Sequence, residues 1–112
     1  MREIKFRAWD RVNNKMVGHR YLEHYNPGLR VFASEEFEVM QFCGLKDKNS
    51  AEIYEGDIFS DQFGYARVVR FDFGAFYAYH DKEQTMVLAS QVVTGEVIGN
   101  IYENPELLSK AA

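Results

Sequence analysis

The chain has 112 residues, 46% of them hydrophobic and 15% aromatic, with two prolines and a net charge of −4. A chain of this size buries roughly two-thirds of its unfolded surface without disulfides or metals, so composition excludes a disordered tail or a small stapled scaffold. A single cysteine excludes an intrachain disulfide, charged Arg2, Glu3, Lys5 and Arg7 interrupt any leader-like apolar run, and no stretch is long enough to span a bilayer; the expectation is a cytoplasmic protein with no membrane partner.

Charge is uneven along the chain. Residues 1 to 30 hold seven Lys or Arg against three acids, and residues 31 to 112 hold six against fourteen. Either the basic part folds against the acidic remainder, or it meets an acidic surface on another copy or on a partner. With no Lys/Arg run to neutralise phosphates, nucleic acid is a possible partner but not the favoured one.

In chain order, Glu3 to Trp9 alternates Ile4, Phe6 and Ala8 with Lys5 and Arg7, the period of two of a half-buried strand. Trp9 falls on the polar side, where it packs over a sheet edge or anchors an interface. Residues 10 to 15 read as a hairpin loop whose Asn pair suits the left-handed region, and Met16-Val17 resume the sheet. From Gly18 to Arg30 the pattern fades into a long surface excursion. His19, Glu23 and His24 there are possible ligands, but a five-residue His spacing is neither a helical pair nor a zinc signature, so no metal is assigned.

Glu35 to Cys43 alternates again, with apolar residues on both faces. Gly44 then closes the run, Lys46 to Ser50 is too charged to be buried, and Asn49 is the left-handed candidate of that turn. Ile53-Tyr54 are extended, Glu55-Gly56-Asp57 is a second tight turn with Gly56 at positive φ, and Ile58-Phe59 open the next strand. Tyr65 to Phe71, a turn at Asp72 to Ala75, and Phe76 to His80 form a β-hairpin crowded with aromatics. Met86 to Ala89 and Val97 to Tyr102 read as further strands. Asn104, Pro105 and Glu106 suit an N-cap and first turn, so a short helix follows, and Leu107 and Leu108 must dock on the sheets or on another subunit.

Three blocks now acquire a common meaning. Residues 1 to 10 (MREIKFRAWD), Gly44 to Asn49 with Glu52 to Ile58, and Val97 to Leu108 resemble the YopX family, in the right order and across nearly the whole chain. The resemblance implies a small protein of coiled, partly bifurcated β-sheets, found mainly in phages and prophages. It implies no established activity, and so no functional residues to carry over. The chain departs from the usual block at Cys43, where Thr is common, and at Ser50, where Gly is common; a non-Gly residue pays a steric penalty at positive φ.

The expected fold is therefore mainly β, a single domain over residues 1–112 of coiled, barrel-like antiparallel sheets with a short C-terminal helix. There is no Gly-rich phosphate loop and no nucleophile elbow, His80 beside Asp81 is not a catalytic pair by sequence, and Cys43 reads as a buried inert thiol. Glu55, Asp57 and Asp61 sit near turns, where capping is the ordinary role of an acid. The expectation is no enzyme, no catalytic residue and no cofactor. The function expected is a phage or prophage accessory module that binds an unidentified phage or host protein or assembles as a homo-oligomer, with Trp9, Arg67, Arg70, Tyr77 and Tyr79 as its binding surface and Leu107 and Leu108 as its oligomer contact. The alternative is a small barrel that stacks single-stranded nucleic acid on the hairpin from Arg67 to Tyr79.

Overall fold

The first two strands are joined where an aspartate can tie the chain back on itself. In the computed structural model, which describes residues 3–24, 35–80, 86–90 and 94–109, β1 (Phe6–Asp10) ends at Asp10 and β2 (Lys15–Val17) returns antiparallel to it, with Ala8 opposite Val17. Asp10 Oδ1 accepts the Val12 and Asn13 N–H groups at 3.0 and 3.1 Å, and Asn14 takes a left-handed φ of 52°. Asn14 thus takes the left-handed place expected of the pair, while Asn13 bonds back to Asp10. Residues 19 to 24 are not irregular, however: α1 (His19–His24) forms there and lies against β1. A six-residue helix gives no periodic signal, because its one inward position, Leu22, is supplied by packing and not by pattern.

Two compact units make up the chain, Met1–Phe42 and Cys43–Ala112. In the first, β1 is flanked by β2 and by the start of β3 (Phe37–Lys46), which pairs antiparallel from Phe6↔Gln41 to Asp10↔Phe37. Ala8, Val17 and Phe37 are its buried core, with Leu22 and Val39 packed on them. Arg11 donates to the Glu35 carbonyl at 2.7 Å and pairs with Glu38.

In the second unit, β3 runs on through Gly44, which does not end the strand as expected. Gly44 holds φ 90°, a conformation that breaks an ordinary strand but lets a residue without Cβ carry it on to Lys46. β4 (Glu52–Tyr54) is its neighbour. The second sheet is antiparallel, in the order β8-β7-β6-β5-β9, from β5 (Asp57–Ser60), β6 (Ala66–Asp72), β7 (Ala75–Tyr79), β8 (Met86–Val87) and β9 (Glu96–Asn100). The strand expected over Met86 to Ala89 stops after Val87, where a 3-10 turn begins and buries Leu88. Cys43, Ile53, Phe59, Val69, Ala78 and Leu88 form the core, and α2 (Glu106–Ser109) lies against β6. The mainly β, antiparallel fold with a short C-terminal helix is the one expected.

Four turns of the second unit are each shaped by a buried acid or amide. Asp47 Oδ1 takes the Asn49 and Ala51 N–H groups, Asp57 Oδ2 takes that of Tyr54, Asp61 Oδ1 takes those of Phe63 and Tyr65, and Asn100 Oδ1 takes those of Tyr102 and Glu103. A carboxylate that satisfies two orphan amides lets the chain reverse without leaving buried polar groups unpaired. This geometry also moves the left-handed residue of the first turn from Asn49 to Ser50, whose φ is 67°. Asn49 has its amide on Glu96 instead.

Candidate binding surface

The β6–β7 hairpin carries most of the aromatic surface, and its register sorts the side chains. Val69 faces Ala78 and Phe71 faces Phe76 across the ladder, while Arg70 faces Tyr77 and Val68 faces Tyr79. Alternation therefore puts Val69, Phe71, Phe76 and Ala78 on the core side and Arg70, Asp72, Tyr77 and Tyr79 on the other. On that second side the groups touch: the Arg70 guanidinium lies 5.5 Å from the Tyr79 ring centre, the Tyr77 and Tyr79 rings are 6.0 Å apart, and the Tyr79 hydroxyl donates to Asp72 at 2.9 Å. Val87, 53% exposed, pairs with Tyr77 and extends the surface onto β8.

Three of the expected residues, Arg70, Tyr77 and Tyr79, are thus brought together. Arg67 is not among them. Its side chain is 3% exposed and its Nε donates to Asp61 Oδ2 at 2.8 Å, so it stands inside the unit as one half of a buried ion pair. That placement corrects the surface role given to Arg67. The reason is that β6 is covered on both faces at its first half, so Ala66, Arg67, Val68 and Val69 are all buried. Trp9 belongs to the first unit, half-buried between Met16 and Glu38 on the adjoining strands. Leu107 and Leu108 are half-buried on α2, the helix that lies on β6 of their own unit.

The hairpin tip holds the most exposed of its aromatic rings. Phe73 is 97% exposed and sits at φ 53°, followed by Gly74 at φ 79°, the two left-handed residues of a type I′ turn. Asn, Asp or Gly is the usual occupant of the first position, because a bulky side chain at positive φ is sterically costly. Phe73 therefore carries an unfavourable backbone and an unburied ring at once. Phe71 beside it is 45% exposed, and its ring meets that of Phe76 edge-on at 4.8 Å. The signal was in the letters: a Phe at the centre of a turn has no packing reason to be there.

The acids are engaged in the fold. Burial by itself raises the Asp61 carboxyl, but the Arg67 guanidinium and the Tyr65 and Phe63 N–H groups outweigh it and hold the group below the usual carboxylate range. Asp47 is likewise raised by burial and lowered further by the N–H groups of Val97, Ala51 and Asn49. Carboxylates held low make weak general bases at neutral pH. Burial pushes the Cys43 thiol up to about 11, which leaves it unreactive. Among the described residues, no group of three His, Cys, Asp or Glu side chains is placed to hold a metal ion.

The family model described as YopX protein matches residues 5–109. The chain belongs to the YopX family. Among solved structures, it is similar to protein EF1440 from Enterococcus faecalis, at 26% identity and a TM-score of 0.69, with 96% of this chain and 99% of that chain covered. It also shares its fold with protein yopX from Bacillus subtilis, at 18% identity and a TM-score of 0.57, over 93% of this chain and 97% of that one. No curated protein matches the sequence. Both solved structures are matched over almost their full length, so the surfaces described above lie within the part of the fold they have in common with this chain. No helix among the described residues is long and apolar enough to cross a membrane.

Proposed function

We propose that the chain is a non-enzymatic assembly module of phage or prophage type, working in the host cytoplasm, which associates with further copies of itself through the β6–β7 hairpin. The observation that carries this reading is Phe73, exposed and conformationally costly at the hairpin tip. Strain combined with exposure is a pattern that tends to mark a recognition residue and not a structural one. Arg70, Tyr77, Tyr79 and Val87 adjoin it with the Tyr, Arg and apolar chemistry of interface anchors. The uneven charge supports contact between copies, since a basic segment of one chain complements the acidic remainder of another. The burial of Arg67 removes a cation from the hairpin, and the Tyr79 ring that Arg70 covers is bonded to the acid Asp72, which makes a phosphate-bearing ligand the weaker reading.

Size-exclusion chromatography with light scattering tests it, at low and high salt, with and without mixed single-stranded oligonucleotides. The expected result is one defined oligomer that ignores the oligonucleotides and dissociates in Phe73→Asp. A monomer at every concentration refutes self-assembly, and oligonucleotide co-elution that fades with salt refutes the preference for protein.

A further inference from the structure

One turn of the second unit does more than reverse the chain. Asp47 uses Oδ1 for its own turn, but its Oδ2 reaches fifty residues along the sequence and accepts the Val97 N–H at 2.8 Å. Two further bonds run the same way: Lys48 N–H to the Gly95 carbonyl at 3.2 Å, and the Asn49 amide to Glu96 at 2.9 Å. The turn after β3 is therefore fastened along the start of β9. On its other side β9 pairs with β5, Val97 opposite Phe59. Asp47 thus satisfies an edge N–H that the ladder does not use. At the other end of the strand, the Asn100 N–H is taken in the same manner by Asn104 Oδ1.

The fastening also covers core. Gly95 lies so close to Phe59 that a Cβ there would stand 2.3 Å from the ring, and Phe59 is fully buried. Working against the fastening is Ser50, held at φ 67° inside the turn, where a Cβ is unwelcome. We infer that the turn from Asp47 to Ala51 is a charge-set latch: the ionised Asp47 carboxylate holds the edge of β9 shut over the core, and the strained turn springs off when that charge is lost.

A carboxylate can accept all three N–H groups with two oxygens, whereas the protonated acid is a poorer acceptor and presents a donor where Val97 also donates. Asp47 is 7% exposed, so water does not readily replace what is lost. The charged groups around it are Lys48 in the turn, which favours the ionised form, Lys46 and Glu52 on the adjoining ends of β3 and β4, and Glu96 on β9, tied in through Asn49. The sign follows from the geometry. Because the folded carboxyl lies below its ordinary value, the latch is closed above about pH 4 and opens as pH falls through the depressed value.

Amide hydrogen exchange read by NMR at one neutral pH tests this on the full chain. Asp47→Asn, which mimics the uncharged acid, is expected to lower protection at the Val97 and Lys48 amides by roughly 10- to 100-fold, with Val69 and Ala78 in the β6–β7 ladder unchanged. Ser50→Gly, which relieves the turn, is expected to raise protection at Val97 roughly two- to five-fold. Asp10→Asn, a cap in the other unit, leaves Val97 alone. Unchanged protection at Val97 in Asp47→Asn, or an equal fall at Val69 and Ala78, overturns the latch. Should Asp47→Asn not fold, the wild-type Val97 amide shift is followed with pH: it moves with the Asp47 carboxyl if the latch exists, and a flat Val97 shift while Asp47 titrates overturns it.

Discussion

Asparagine at position 61 isolates the buried ion pair from the turn it belongs to. Asp61→Asn keeps Oδ1 for the Phe63 and Tyr65 N–H groups at 2.9 and 3.0 Å, but sets a neutral amide against the Arg67 Nε that now donates at 2.8 Å. With the two side chains 3% and 1% exposed, solvent cannot screen the stranded guanidinium. Removing one partner of such a pair costs about 3–5 kcal/mol, against about 6–17 kcal/mol for the whole of a domain this long. In urea that moves the midpoint down by about 2 M. Arg67→Met in the same chain replaces the cation with an apolar stem of similar reach, so the double variant is expected to recover more than half of the loss, because an apolar pair and an ion pair are of similar stability once desolvation is counted. Equilibrium unfolding of the two single variants and the double closes the cycle. A loss below about 1 kcal/mol in Asp61→Asn, or strict additivity in the double, would refute the claim that this pair is buried and coupled.

Other consequences are simpler to read. Asp10, Asp47 and Asp61 are all held below the usual carboxylate range, Asp10 mainly by the Asn13 amide and N–H; a depressed folded value means that their contribution is complete above about pH 4 and lost as pH falls through the folded values, so acid unfolding should show level stability from pH 5 to 7 and a fall below 4. Cys43 is raised to about 11, so its share of stability is complete below about pH 8.5 and drains away as pH climbs toward 11; alkylation at pH 8 should run roughly 100-fold slower than at a free thiol until the chain is unfolded. Phe73→Asn suits the left-handed tip and should raise stability by about 1 kcal/mol in thermal unfolding; a fall would mean that the ring packs after all. Gly95→Ala drives a methyl into the Phe59 ring and the Ser60 carbonyl and should destabilise by about 3 kcal/mol or more, whereas Gly74→Ala meets no neighbour and loses only the left-handed preference.

Much of the fold was legible as pattern. The alternation of Phe6 and Ala8, Asn14 before β2, Gly56, and the turn at Asp72 to Ala75 each act through one or two residues and their immediate neighbours, and the strands and turns they specify are present, although β1 begins only at Phe6 and leaves Ile4 exposed before it. The errors share one cause. Glycine breaks strands locally, which makes Gly44 look like a stop, yet pairing on the neighbouring strands carries β3 through it. Asn49 lost the left-handed position to Ser50 because the Asp47 carboxylate, not intrinsic preference, sets the turn. A charged Arg67 within an aromatic hairpin points to the surface, and only its approach to Asp61 makes burial tolerable.

The sequence by itself determined most of the strands and turns, the family and the presence of an aromatic hairpin, because alternation, turn residues and side-chain chemistry are local properties. The tertiary structure decided which acids became internal acceptors, which arginine went inside, and that Phe73 is left bare at a strained tip. Those outcomes depend on groups up to fifty residues apart meeting at hydrogen-bond distance, and a linear pattern carries no term for such meetings.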